Sequence, residues 1–157
     1  MLQGIEPGFL TLVIAAGMVV GMVYYLLTWR NCGGVVTPGV LAALALLAPS
    51  VLIKVALASA LTFVVMQPIL RRVFLSLANT MGLYIAVGLL ANYLLEYLFA
   101  RALPHINVVA LLGFISPGLI AYYMRREGIV NTVVGTMGTA AITLAIALLC
   151  VQITPKG

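Results

Sequence analysis

Nine residues, Gly34-Val35-Val36-Thr37-Pro38-Gly39-Val40-Leu41-Ala42, return 79 positions later (34 to 113) as Gly113-Phe114-Ile115-Ser116-Pro117-Gly118-Leu119-Ile120-Ala121. Four of the nine positions are identical, and Thr/Ser and the aliphatic residues replace one another elsewhere. The shared skeleton is Gly-x-x-[Ser/Thr]-Pro-Gly. Each copy sits in the middle of three apolar segments. The chain therefore reads as two halves, about 1–74 and 75–157.

The residues around the two copies say what kind of fold carries them. Of 157 residues, 64% are hydrophobic and only 7% charged. A soluble domain carries about 25% charged residues. So few charges cannot cover a water-facing surface, and the apolar excess must meet lipid. A span needs about 20 mainly apolar residues. Four blocks qualify, Pro7–Thr28, Val51–Pro68, Leu75–Phe99 and Ile129–Ile153. The Pro-Gly copies lie in two shorter blocks, Gly34–Ala48 and Val108–Met124. The expectation is an all-α integral membrane protein, one membrane domain over 1–157 with about six transmembrane segments. Each half has a Pro-Gly-interrupted middle helix. Three segments is an odd number, so the second half enters from the opposite side, the plan of an inverted repeat. Pro7–Thr28 is preceded by Glu6 and no basic residue, unlike a signal peptide, and reads as a retained helix.

Proline fits the first position of a helix, and Ser or Thr favours the cap before it. Thr37-Pro38-Gly39 and Ser116-Pro117-Gly118 each read as a helix start at or within the membrane. A helix start carries unpaired N–H groups and about half a positive charge, which attract carboxylates and phosphates. These six residues are the candidate contacts for an anion or an acidic polymer. The competing reading is that each proline kinks a helix while the glycines let helices pack closely.

The net charge of +5 is confined to segment ends. If all six segments cross, Arg30, Arg71, Arg72, Arg125 and Arg126 share one side, while Arg101 and Lys156 take the other. The positive-inside rule makes the first side cytoplasmic. On a membrane protein this balance speaks for orientation and for docking of a partner or polymer by those five arginines, not for nucleic acid. Within the segments, Asn92 and Glu96 lie four apart on one helix face and are candidate buried polar groups, and Lys54 reads as an anchor near a segment end. His105 beside Pro104 reads as a loop residue, and Cys32 and Cys150 as small apolar residues, so no metal site and no cofactor is expected. No phosphate loop, nucleophile elbow or dinucleotide fingerprint occurs, and three acidic residues leave little for acid–base chemistry.

The stretch Gly34–Ala42, with Leu112–Gly128 (Leu-Gly-Phe-Ile-Ser-Pro-Gly-Leu-Ile-Ala-Tyr-Tyr-Met-Arg-Arg-Glu-Gly), resembles the PgsC/CapC family of small membrane subunits of bacterial poly-γ-glutamate synthesis. Segment layout is similar over most of the chain, and residue-level likeness centres on the two motifs. Val40 stands where that family usually carries Tyr. The resemblance implies a multi-pass protein of the bacterial plasma membrane, non-catalytic by itself. It implies a partner ligase, ATP-dependent and related to the Mur ligases, a mostly extracytoplasmic accessory subunit, and an acidic polymer as product. A homo- or hetero-oligomer would be needed to enclose a polymer path. Two other classes fit the same residues: an autonomous small-solute transporter or channel, and a purely structural membrane anchor.

Overall fold

The computed structural model describes residues 7–47, 49–72, 76–99 and 109–153. The described elements are α-helices: α1 (Pro7–Thr28), α2 (Thr37–Leu47), α3 (Pro49–Arg72), α4 (Leu77–Phe99), α5 (Val109–Glu127) and α6 (Ile129–Ile153). Arg101, His105 and Lys156 lie outside the described residues, as does the side chain of Glu96.

Local sequence sets most of the boundaries. Pro7 and Pro49 occupy first helical positions, where a missing N–H costs nothing. Arg71 and Arg72 close α3, and Arg125 and Arg126 close α5, each complementing the negative end of a helix dipole. Gly128 has φ +94° and alone separates α5 from α6, a conformation in which glycine ends a helix at little cost. Trp29 ends α1 in the left-handed region at φ 56°, with its N–H donating to the Tyr25 carbonyl.

Three described helices are long and apolar enough to cross a membrane: Gly8–Thr28, Pro49–Arg72 and Ile129–Cys150. Their outward faces are apolar: Leu27 is 78% exposed, Val130 73% and Met137 69%. Such side chains belong against lipid. The block Gly34–Ala48 behaves differently. Only Thr37–Leu47 is helical, and its 11 residues rise ~16 Å, about half of a hydrocarbon core. This helix cannot cross by itself.

Helix pairing is ordered. α1 touches α2 and α6, and α4 touches α5 and α3. α2 also meets α3, α5 and α6, and α5 also meets α3 and α6. Exchanging α1 with α4, α2 with α5 and α3 with α6 leaves this set of pairs unchanged. The crossings agree at residue level. A Cβ on Gly39 would lie 2.5 Å from the Ile14 carbonyl oxygen, and one on Gly118 would lie 2.6 Å from that of Tyr84 and 2.7 Å from the Ile85 Cα. Gly17 faces Gly39 backbone as Gly88 faces Gly118 backbone. The small-residue contact that lets apolar helices approach closely is thus used twice.

Candidate functional site: a helix start halfway along α1

Gly39 packs on Ile14 and Gly17, at the middle of α1. α2 therefore begins halfway along α1, ~16 Å from the end of α1 at Thr28. Between them, residues 29–36 run back into the bundle. A Cβ on Gly21 would lie 3.1 Å from the Val35 carbonyl and 3.4 Å from Cys32 Sγ, so this loop lies along α1 well inside its end. Non-helical backbone inside the bundle must find its polar partners within the protein. Cys32, Gly33, Gly34, Thr37 and Pro38 are all buried.

Glycine makes the loop possible. Gly33 and Gly34 have φ of +76° and +106°, a region costly for other residues. The Thr37 hydroxyl donates to the Gly33 carbonyl at 2.7 Å, and the Cys32 thiol approaches the Gly34 carbonyl at 3.7 Å. Thr37 is therefore not a conventional cap, because its hydroxyl bonds backwards to a carbonyl instead of accepting from the first turn. The Cys32 thiol is itself buried, 2% exposed, against α1.

The second copy is built otherwise. Pro117 lies inside α5, with Ser116 before it, so Ser116-Pro117-Gly118 starts no helix. The reason is one residue. The counterpart of Gly33, 79 positions on, is Leu112, which cannot hold a positive φ cheaply. The helix runs through instead, with one backbone bond lost at the proline. Ser116, Pro117 and Gly118 are buried at the middle of α4.

A polar latch holds the loop at its mouth. Glu127 accepts from the Asn31 backbone N–H and from Asn31 Nδ2, both at 2.7 Å. Asn131 Nδ2 donates to the Glu127 carbonyl at 3.0 Å, and Arg30 Nη1 donates to Asn131 Oδ1 at 2.9 Å. Neither Asn31 nor Glu127 stands out in the sequence, because they are 96 residues apart. The same end carries Arg125 and Arg126, and packing of Ile69 and Leu70 with Tyr122 and Tyr123 brings Arg71 and Arg72 there too. All five arginines are exposed. Planar guanidinium groups suit carboxylates and phosphates. Asn92 is buried in α4, at 5% exposure. Lys54 is half-buried near the opposite end of α3.

Sequence reasoning also missed a row of threonines. Thr132, Thr136, Thr139 and Thr143 repeat at helical spacing along α6 and are all buried. Among the described residues no cluster of three metal-ligating side chains occurs. Residues 16–133 match the family described as capsule biosynthesis CapC. No curated protein and no solved structure gives a match.

Proposed function

This chain belongs to the capsule biosynthesis CapC family, and from that premise we propose that it is the non-catalytic membrane subunit of a complex that makes and exports poly-γ-glutamate. It works as a multi-pass protein of the bacterial plasma membrane. A Mur-ligase-like partner supplies the ATP-dependent amide chemistry, and a mostly extracytoplasmic subunit completes the assembly.

The carrying observation is the start of α2 halfway along α1. Loop 29–36 and α2 together traverse the bilayer, giving six traversals in two oppositely oriented halves. The unchanged pairing under exchange of halves supports this reading. The start of α2 carries partial positive charge, which favours carboxylates at that depth even though Pro38 has no N–H and the Val40 N–H is held by the Val36 carbonyl. Thr37, Pro38 and Gly39 act there, with Ser116, Pro117 and Gly118 as the opposed crossing point. Arg30, Arg71, Arg72, Arg125 and Arg126 gather the polyanion or dock the ligase at the cytoplasmic mouth.

The test is removal of this subunit from a polymer-producing cell. Cell-associated and secreted polymer should both fall to background and return with the intact gene. Unchanged polymer in both fractions would sink the proposal. For the helix start, Pro38→Ala should lower export several-fold in a protein that still accumulates. Normal export would assign the motif to packing.

A further inference from the structure

The latch at the mouth has the form of a carboxylate receptor. One residue, Asn31, meets both oxygens of Glu127: its main-chain N–H donates to Oε2 and its side-chain Nδ2 to Oε1, each at 2.7 Å. Paired N–H donors are what binds a carboxylate through both oxygens. The fork therefore suits any carboxylate that reaches it, and in this conformation the chain's own Glu127 fills it.

The contact is placed to be exchanged. Asn31 and Glu127 are half-buried, at the end of the bundle where five arginines stand exposed. Glu127 is the last residue of α5, so its side chain can turn outward without moving a helix. Both donors of the fork are neutral, so the hold lacks the second charge of an arginine pair. On either side of Asn31 the backbone adopts positive φ, at Trp29 (56°) and at Gly33 and Gly34 (76° and 106°). Loop residues of this kind serve as hinges, because they absorb large changes of φ and ψ. Immediately behind Asn31, Cys32, Gly33 and Gly34 are buried, and three residues later α2 begins. Loop 29–36 is thus a cover, and the Asn31–Glu127 contact is its fastening.

We propose that Glu127 is a built-in substitute for a carboxylate of the acidic polymer, and that an incoming polymer carboxylate displaces it from Asn31 and frees loop 29–36. That the incoming group belongs to a γ-linked glutamate polymer rests on the function proposed above. Two carboxylates cannot share the fork, so the ligand binds the unlatched state alone and shifts the population toward it. Tethering gives Glu127 an effective concentration on the order of mM or higher, which favours it over a single free carboxylate. A polyanion overcomes that advantage, because its further carboxylates engage Arg30 and Arg126 at the same time. The device answers to polymer and ignores monomer.

The experiment uses the full chain in detergent in a Cys150→Ser background, with Cys32 alkylation by iodoacetamide reporting loop opening. An oligo-γ-glutamate should speed alkylation at least fivefold. Sodium glutamate or sodium chloride at the same ionic strength should leave it unchanged, and equal acceleration by either salt would overturn the proposal. Glu127→Ala should alkylate quickly with or without oligomer. It should also bind a fluorescein-labelled oligomer at least threefold more tightly than its parent, because the internal competitor is gone. Adding Asn31→Ala should abolish most of that gain. A gain that persists without the Asn31 side chain belongs to the lost negative charge and overturns the proposal. So does oligomer binding that leaves the parent's alkylation rate unmoved, an outcome that spares the polymer-gathering role of the arginines. Absence of binding to every form overturns both. The parent's alkylation rate needs no change at the latch, so it decides the matter even if Glu127→Ala fails to fold.

Discussion

At Gly39 and Gly118 a single methyl group decides whether the bundle closes. Each added Cβ would press on backbone of the facing helix, at 2.5 Å from the Ile14 carbonyl oxygen and 2.6 Å from the Tyr84 carbonyl oxygen. Backbone cannot swing aside as a side chain can. Gly39→Ala and Gly118→Ala should each destabilise by about 1–3 kcal/mol through overpacking. Gly138→Ala is the control, because open space surrounds that position. It should be neutral or stabilise by up to ~1 kcal/mol through helix propensity. Thermal unfolding in detergent reads all three. Cys32 makes a different residue-level prediction. Its thiol is buried, so reagents do not reach it in the folded protein. Alkylation by iodoacetamide should be at least tenfold slower in the folded protein than after denaturation. Equal rates before and after denaturation would remove the buried loop.

Among the elements, the loop before α2 departs most from what apolar patterning predicts. Runs bounded by proline, glycine and basic residues gave Pro7–Thr28 and Ile129–Ile153, which are α1 and α6. Patterning works there because each helix meets lipid along one side and needs no distant partner to be apolar. Patterning treats the two Pro-Gly motifs alike, and they are not alike. Gly33 supplies the positive φ that Leu112 cannot, so one proline opens a helix and the other sits within one. The cue was in the sequence, one residue outside the matched nine. The latch left no cue, since Asn31 and Glu127 meet only after the chain has folded. Glu127→Ala should loosen it. Hydrogen exchange over residues 29–36 should speed up at least tenfold while α1 and α6 keep their protection. A double-mutant cycle with Asn31→Ala should show coupling of about 0.5–3 kcal/mol. Additive effects would deny the contact. Pro117→Ala restores one helical hydrogen bond and should leave stability equal or higher, unlike an alanine at Gly118.

For the whole molecule, the five arginines at one end of the bundle make orientation testable. Arg72 and Ser50 lie at opposite ends of α3, and both are exposed. In a Cys150→Ser background, Ser50→Cys should react with an impermeant maleimide on intact cells. Arg72→Cys should react only after permeabilisation, as the positive-inside rule requires. Equal labelling would refute a single orientation. The depth of the loop also bears on how the protein is made. α2, with 11 residues, is too short to hold itself in lipid while the ribosome is still working. Its anchor, Glu127, is synthesised 96 residues after Asn31, ~5–20 s later at ordinary elongation rates. Through that interval the nascent loop has no latch, and a chain cut short before Glu127 never acquires one. Membrane proteases should therefore cleave prematurely terminated chains near Trp29–Val36 while sparing the finished protein.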